Sequence, residues 1–122
     1  MNGNIDGYGR ALLKINIRST SGGTATSVDA WVDTGFTGDL VISNSLVEQL
    51  ELKESGSVDA ILADSSPIEL PTYTCIIDWF GHQRRLEVVA NDGEYPLLGV
   101  GLLIGMELRV NYATLNLSLK KN

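Results

Sequence analysis

The sequence predicts an all-β protein, a closed barrel or sandwich of short strands with two short helices. Two observations carry this prediction. Apolar and polar residues alternate in one segment after another, which is the pattern of half-buried strands. Residues that favour turns recur between these segments at short intervals, as they do in β-barrels and sandwiches. Only two segments have the apolar spacing of a helix, so helices are a minor part of the fold.

The first half of the chain predicts a β-hairpin that leads into a third strand. Residues 11–18 and 26–33 alternate, and the polar, glycine-containing segment 19–23 supplies the turn between them. A loop of small residues follows, and then the apolar run 40–42. Ser45 and Glu48 have the spacing of a capping box and predict a short helix over residues 46–50.

The second half predicts a series of strands and one more helix. A two-apolar-plus-glycine element, Leu97-Leu98-Gly99, precedes a segment with helical apolar spacing, residues 100–106. The C-terminal stretch alternates again, with Leu115, Leu117 and Leu119 on one face. The predicted strands are 57–63, 68–73, 74–80, 84–90 and 115–120, with turns at 64–67 and Gly81 and a polar loop at 91–96.

The length, composition and net charge of the chain limit its domain number, its partners and its location. A chain of 122 residues, 43% hydrophobic, predicts a single domain over 1–122 with a real core. Fifteen acidic and nine basic residues give a net charge of -6, which makes nucleic acid and membrane poor partners. No stretch approaches the roughly 20 apolar residues of a membrane-spanning helix. The N-terminus lacks the pattern of a secretory signal, so a cytoplasmic protein is expected.

Cys75 and His82 are the only cysteine and histidine, and this excludes most metal and nucleophilic chemistry. A zinc site needs a cluster of such ligands, so no metal and no cofactor is expected. Cys75 lies in an apolar run and predicts a buried, inert thiol. His82 follows Gly81 in a predicted hairpin turn, where a surface histidine is expected rather than a catalytic one.

The segment Asp33-Thr34-Gly35 is the best candidate for chemistry. Asp33 ends an apolar strand and enters a loop in which Gly35 and Gly38 permit tight backbone paths. Backbone N–H groups can approach and orient the carboxylate in such a loop, and the Thr34 hydroxyl can tie the loop down. The alternative is a simple strand-ending turn, because all three residue types favour turns.

The segment Trp31-Val32-Asp33-Thr34-Gly35-Phe36-Thr37-Gly38-Asp39-Leu40-Val41 resembles the active-site segment of retropepsin-like aspartic proteases, above all the small bacterial and archaeal members. The hairpin before Asp33, a hairpin at 58–73 in the flap position, and Leu97-Leu98-Gly99 before a short helix occur in the order of that family. In the family, the last element threads the loop that carries the aspartate. The resemblance therefore implies a retropepsin-like fold over nearly the whole chain.

The resemblance also implies a function and a site. It implies an aspartic endopeptidase that acts on a polypeptide substrate as a homodimer, because family members of this size supply one aspartate per chain. The catalytic residues would be Asp33, Thr34 and Gly35, and the flap residues that contact substrate would be Ala63, Asp64, Ser65 and Ser66. The N- and C-terminal strands would interleave between the two chains. Alternatively, residues 115–120 form an edge strand protected by Lys120 and Lys121.

Three features depart from the viral pattern, and two other functions stay open. Phe36 is bulky where a small residue is usual, and Pro67 stiffens a flap tip that is glycine-rich in viral members. Asp39 does not align with the substrate-contacting aspartate of the family. The chain could be a peptide-binding module that keeps the fold without cleaving, or a domain that needs a different partner chain to contribute another aspartate.

Overall fold

The structure is a computed structural model that describes residues 1–61 and 64–122, in which ten strands and two short helices alternate along the chain. The helices are α1 (Asn44–Leu50) and α2 (Val100–Leu103). The strands are β1 (Asn2–Ile5), β2 (Ala11–Arg18), β3 (Thr26–Val32), β4 (Leu40–Ser43), β5 (Lys53–Ile61), β6 (Pro67–Trp79), β7 (His82–Asn91), β8 (Leu97–Leu98), β9 (Met106–Asn111) and β10 (Asn116–Lys121).

Six of the strands close into a barrel. They follow one another in the order β6, β7, β4, β8, β3 and β2, and a short antiparallel pairing of Ile17 with Ile77 joins β2 back to β6. The remaining strands extend this barrel on two sides: β5 pairs with β6, while β1, β10 and β9 continue outward from β2. The predicted all-β barrel with two short helices is therefore confirmed.

The core lies inside the barrel and is aliphatic. On β2 the alternation predicted from sequence holds, since Leu13, Ile15 and Ile17 are buried while Lys14 is exposed. Burial of such side chains contributes about 1.5–3 kcal/mol each, which makes the inward face of each strand the main determinant of register. The other fully buried aliphatic side chains are Leu40, Ile42, Ile77, Val88, Leu98, Leu102, Leu117 and Leu119.

An ion pair spans the barrel seam beside the short β2–β6 pairing. The Arg18 guanidinium donates to both carboxylate oxygens of Asp78, with Nε to Oδ1 at 3.0 Å and Nη2 to Oδ2 at 2.9 Å. It also donates to the Gly23 carbonyl oxygen, which ties the β2–β3 turn to the same point. The hydrogen bonds from Arg18 hold the pKa of the Asp78 carboxyl below its ordinary value.

We predict that Asp78→Asn lowers the free energy of unfolding at neutral pH and has no effect at strongly acid pH. Because the folded-state pKa is lowered, the ion pair stabilises fully above the ordinary carboxyl pKa, and its contribution is lost as pH falls through the lowered folded-state pKa. Denaturant unfolding of both proteins over this pH range measures the difference. The control is Asp29→Asn, which breaks the ion pair of Asp29 with Lys14, a pair that is more exposed than that of Asp78 with Arg18. Equal stability of Asp78→Asn and wild type at neutral pH would contradict the prediction.

The capping box predicted for α1 is wrong. The N-cap is Ser43, whose hydroxyl accepts a hydrogen bond from the Leu46 N–H at 3.1 Å, and the helix begins at Asn44. Ser45 lies inside the first turn, where its hydroxyl meets that of Ser43. The cap moves because β4 continues as far as Ser43, which pairs with Asn91 and keeps an extended backbone.

The two strands predicted over 68–73 and 74–80 form one strand, β6. Its first half pairs with β5 and its second half with β7, and residues 72–74 pair on both sides. Pro71 lies within this segment but pairs with Ser57 of β5 without ending the strand, so a single strand passes from the outer hairpin into the barrel. The predicted turn at Gly81 is confirmed, with Phe80 and Gly81 both at positive φ between β6 and β7.

The helix predicted over 100–106 is shorter than expected, and a strand follows it. Helix α2 ends at Leu103, Gly105 adopts a φ of +81°, and Met106 already belongs to β9. The helix ends because Ile104 leaves the helical region, with ψ at 130°, and the left-handed φ of Gly105, which glycine adopts without steric cost, then turns the chain into β9. Among the described residues, no helix has both the length and the apolar character needed to cross a membrane.

Both terminal strands are paired within the chain. β1 lies between β10 and β2, with Gly3 opposite both Leu117 and Leu13. β10 lies between β1 and β9, and the backbones of Met1 and Leu119 exchange hydrogen bonds. In this conformation each terminal strand already has a neighbour on both sides within its own chain, which leaves no edge for the expected interleaving of termini. The alternative edge-strand assignment of 115–120 is wrong, because β10 has a neighbour on each side.

Candidate active site

The carboxylate of Asp33 lies one residue beyond β3, where the strand leaves the barrel. Its backbone N–H donates to the Leu98 carbonyl oxygen at 2.9 Å, which continues the β3–β8 pairing by one residue. Its side chain is half-buried, and Oδ1 accepts a hydrogen bond from the Gly35 N–H at 2.9 Å. The barrel therefore fixes the backbone of Asp33, and the loop fixes its carboxylate.

Gly35 leaves room for this carboxylate. A Cβ placed on Gly35 would lie 3.1 Å from Asp33 Oδ1, closer than an ordinary van der Waals contact. Glycine thus lets the backbone N–H face the carboxylate without crowding it. The neighbouring Thr34 is exposed, and its hydroxyl makes no hydrogen bond to any residue in 1–61 or 64–122. Asp33, Thr34 and Gly35 are consecutive residues of this loop, and their catalytic role stays a prediction.

Phe36 fills the space that two glycines leave open. A Cβ on Gly38 would lie 2.5 Å from the Phe36 ring, and a Cβ on Gly99 would lie at the same distance from another atom of that ring. The ring therefore packs across both glycines. This explains why a bulky residue is accommodated after Asp33-Thr34-Gly35, a position where a small residue was expected.

The element Leu97-Leu98-Gly99 holds the loop from inside, as predicted. β8 lies between the two strands that flank the loop, with Leu98 opposite Val32 on β3 and Leu40 on β4. Three backbone hydrogen bonds continue the attachment: Gly99 N–H to Asp39 O at 2.9 Å, Val100 N–H to Phe36 O at 2.8 Å, and Gly101 N–H to Gly38 O at 2.9 Å. The start of α2 and the Asp33 loop therefore form one rigid unit.

The predicted flap is an exposed hairpin formed by β5 and the first half of β6. Almost every residue of β5 is exposed, including the apolar side chains of Val58 and Ile61, which are 43% and 72% exposed. At its tip, the backbone and the hydroxyl of Ser66 donate to Asp64 Oδ1, and these bonds hold the pKa of Asp64 below its ordinary value. Ser65 has a positive φ.

Of the four predicted flap residues, Asp64, Ser65 and Ser66 thus form a tight turn whose carboxylate is already hydrogen-bonded within the turn. Ala63 lies outside the described residues. Pro67 is the first residue of β6, where it pairs with Ile61. The structure places Asp64, Ser65 and Ser66 at the end of an exposed hairpin and gives them no hydrogen bond to Asp33, and their role as a flap stays a prediction.

A small pocket lies beside Trp31, two residues before Asp33, and the sequence analysis did not anticipate it. Ala30 points into the core, so Trp31 and Asp33 share the opposite face of the same extended segment, about 7 Å apart along the backbone. The pocket has a volume of about 240 Å³, below the roughly 300–1,000 Å³ of small-molecule sites. It is lined by Arg10, Trp31, Asn91, Gly93, Glu94, Tyr95 and Leu97.

Arg10 organises the walls of this pocket. Its guanidinium carbon lies 4.3 Å from the centre of the Tyr95 ring and 5.7 Å from that of Trp31, both within cation–π range. Its Nε donates to Asp6 Oδ2 at 2.7 Å. Partial burial acts to raise the pKa of the Asp6 carboxyl, but the hydrogen bonds from Arg10 outweigh it and lower that pKa. The cation is thus neutralised, and the pocket presents mainly aromatic and apolar surface.

The remaining candidates from sequence lie away from this site. Cys75 is fully buried inside the barrel, and burial raises the pKa of its thiol to about 12, so it is the inert thiol that was predicted. His82 is exposed at the start of β7. Within 1–61 and 64–122, no group of three or more His, Cys, Asp or Glu side chains is placed to hold a metal ion.

Comparison of the whole fold with solved structures finds aspartic proteases. A retropepsin-like aspartic protease from Rickettsia conorii matches with a TM-score of 0.64 and 17% identity, over 98% of this chain and 88% of that one. The EIAV protease, solved with the inhibitor HBY-793, matches with a TM-score of 0.61 and 15% identity, over 78% and 86%. The simian foamy virus protease matches with a TM-score of 0.57 and 17% identity, over 76% and 91%.

The chain therefore has the retropepsin-like fold, and the fold implied by the sequence resemblance is confirmed. No protein-family model matches the chain. No curated protein matches it by sequence. At 15–17% identity the likeness concerns the fold, and the chemistry has to be argued from the Asp33 loop itself.

Proposed function

We propose that this chain is an aspartic endopeptidase that cleaves polypeptides as a homodimer, with one Asp33 carboxylate from each copy in a shared site. The observation that supports it best is the Asp33 loop. Asp33 is fixed by β8 and by the Gly35 N–H, while exposed Thr34 and Gly35 surround it. An acidic group held rigidly at an accessible surface suits chemistry better than it suits a structural turn.

Two carboxylates are needed because hydrolysis of a peptide bond without a metal requires both a base and an acid. The base removes a proton from the attacking water, and the acid delivers one to the carbonyl oxygen or the leaving amine. Two carboxylates a few ångströms apart cannot both ionise readily, so they share one proton and supply both functions. Such a pair titrates as a unit and not as two separate groups.

A second copy would complete the features that one chain leaves open. The free Thr34 hydroxyl would bond to the facing loop and hold the two Asp33 residues in register. Gly35 would keep the backbone close to the paired carboxylates. The exposed β5–β6 hairpin would close over an extended substrate, whose backbone could pair with it as an added strand. Val58 and Ile61 are exposed on opposite faces of this hairpin, so one of the two side chains would contact the substrate.

The assay that tests this function is cleavage of a denatured protein at acid pH, with and without a transition-state mimic of the pepstatin type. We expect cleavage that the inhibitor abolishes and that a metal chelator leaves unchanged. The sequence pI of about 4.6 means that net charge approaches zero under these conditions, so the soluble protein concentration must be measured in parallel. Soluble, dimeric protein that binds peptides without cleaving them would instead support a peptide-binding module.

Because Trp31 lies two residues before Asp33, the pocket that it lines predicts a preference for substrates with a large aromatic or apolar side chain next to the scissile bond. Such a side chain would pack on the rings of Trp31 and Tyr95. We predict that Tyr95→Ala lowers kcat/KM about 3- to 10-fold for a peptide with phenylalanine at that position and much less for the alanine analogue. Tyr95→Phe, which keeps the ring, should retain the preference. A preference for lysine or arginine would indicate that Glu94 governs the pocket and would contradict this prediction.

A further inference from the structure

Strand β9 has one edge without a neighbour. β9 pairs with β10 on one side, and among residues 1–61 and 64–122 no strand lies on the other. The strand is six residues long and contains neither a proline nor a bulge. An edge of this kind is a template for pairing with another strand, and proteins usually block such edges when they are not used.

The alternation of the β9–β10 ladder shows which backbone groups are free. The Asn122 N–H donates to the Gly105 carbonyl oxygen at 3.1 Å, so Gly105 stands in a hydrogen-bonded position of this ladder. In an antiparallel pair such positions alternate. The N–H and C=O groups of Met106, Leu108 and Val110 therefore point away from β10, towards the open edge.

We infer that β9 pairs antiparallel with β9 of a second copy, about a two-fold axis that passes Leu108. In this register Leu108 faces Leu108 of the second copy, and Met106 faces its Val110. The three residues are partly buried and pack against the core of their own chain, so the pairing would join the two apolar layers. A symmetric, self-complementary contact of this kind closes a dimer and leaves no free edge on β9.

The charges on the outer face of β9 favour this register over its neighbours. Glu107 and Arg109 lie on that face, and their side chains are bonded to each other at 2.7 Å. With Leu108 on the axis, Glu107 of each copy lies opposite Arg109 of the other, so the interface contains two such pairs of opposite charge. A shift of one residue along each strand brings Arg109 opposite Arg109, or Glu107 opposite Glu107, and like charges directly opposite are destabilising.

Two exposed apolar residues at the ends of β9 support the same register. Ile104, two residues before β9, is 74% exposed, and Tyr112, the residue after it, is 66% exposed. The register brings each Ile104 near Tyr112 of the second copy, which would cover both side chains. Large side chains so exposed on one edge mark an interaction surface when they have complementary neighbours across it.

The edge is also connected to the candidate active site by a short, rigid path. The start of α2 is hydrogen-bonded to the Asp33 loop, and β9 begins three residues after α2 ends. This inference rests on the proposed function in one respect, namely that a second copy is needed to complete the site. Unlike the interleaved termini expected from sequence, it assigns the contact to an internal strand.

Cysteine pairing under mild oxidation with diamide reads the register directly. Residues 107 and 109 of facing strands form a non-hydrogen-bonded pair with Cα atoms about 4.5 Å apart, within the range of a disulfide. We expect Glu107→Cys and Arg109→Cys to remain uncrosslinked when each is oxidised alone, and to form a disulfide-linked dimer when mixed. Buried Cys75 should leave the wild-type protein uncrosslinked.

The other outcomes overturn the inference. A dimer of Arg109→Cys alone, or of Glu107→Cys alone, would show a different register. A mixture that stays uncrosslinked although sedimentation shows a dimer would place the contact elsewhere, and a protein that stays monomeric would leave β9 without this partner. Both substituted side chains are on the surface, so circular dichroism should confirm that the variants fold.

Sedimentation provides an independent test with a matched control. We expect Tyr112→Ser to raise the dimer dissociation constant about tenfold or more, because it uncovers an apolar contact. Leu115→Ser also removes a side chain that is 50% exposed, but on the β10 side of the turn, and should change the constant less than about threefold. Equal effects of the two substitutions would contradict the register.

Failure of this inference can be told apart from failure of the proposed function. A crosslinked dimer of the mixed cysteine variants that cleaves no peptide would leave the interface standing and remove the protease assignment. Conversely, if the protein is active as a dimer but the mixed cysteine variants do not crosslink, the protease assignment stands and β9 is not the interface.

Discussion

Asp33→Asn is expected to lower kcat/KM by at least about 10³-fold without unfolding the protein. Asparagine has nearly the same shape, and its side-chain oxygen can still accept the hydrogen bond from the Gly35 N–H. It can neither ionise nor carry the shared proton, however, so the pair of carboxylates can no longer supply both base and acid. Peptide cleavage, thermal unfolding and sedimentation of the same preparation measure the three properties.

Asp29→Asn is the matched control for this substitution. Asp29 lies on β3, four residues before Asp33, with its carboxylate exposed and paired to Lys14 at 3.3 Å. Loss of this surface pair should change kcat/KM less than about twofold, since such pairs contribute little. Retained cleavage by Asp33→Asn, in a preparation free of contaminating proteases, would exclude the carboxylate mechanism.

Gly99→Ala is expected to be the most damaging single methyl group that can be added near the site. The new Cβ would lie 2.2 Å from the Gly38 carbonyl oxygen and 2.7 Å from the Phe36 carbonyl oxygen. Both are backbone atoms of the Asp33 loop, so the clash can be relieved only by separating that loop from α2. We expect the free energy of unfolding to fall by about 3 kcal/mol or more, and activity to be lost with it.

Gly7→Ala is the control for Gly99→Ala. Nothing lies within 4 Å of the position of a Cβ on Gly7, and its φ is not in the left-handed region. Its free energy of unfolding should remain within about 0.5 kcal/mol of wild type. If denaturant unfolding gave Gly99→Ala a similarly small change, the tight contact between α2 and the Asp33 loop would not exist as described.

Much of the fold could be predicted because it follows from side-chain periodicity. The alternation over 11–18 and 26–33 specifies which face of each strand is buried, and burial of that face decides the register. The place of Leu97-Leu98-Gly99 between the strands around Asp33 could be expected from the order of motifs in a known family, and β8 lies there.

The errors come from features that depend on distant parts of the chain. Ser43 and Ser45 are equally good caps by residue type, and the choice depends on how far β4 pairs with β7. Residues 100–106 suit a helix by spacing, but the segment from Met106 also alternates, and only its pairing with β10 makes it a strand. In a segment this short, the apolar pattern alone cannot distinguish the helical period from the two-residue period of a strand.

The pocket was missed because its walls come together only in the folded chain. Arg10 and Tyr95 are 85 residues apart, and neither belongs to a motif. One local signal could have drawn attention to it: Trp31 is a large apolar residue on the same side of the strand as Asp33, opposite to the inward Ala30. A residue so placed next to a candidate catalytic group is a candidate for substrate contact.

Mixing of subunits tests most directly whether two Asp33 residues share one site. Wild-type and Asp33→Asn chains should be denatured together in equal amounts, refolded as mixed dimers and assayed at fixed total concentration. Random pairing makes about a quarter of the dimers wild type in both chains, so a shared site predicts about a quarter of the activity of undiluted wild type. About half of that activity would mean that each Asp33 works alone, and would contradict a shared site.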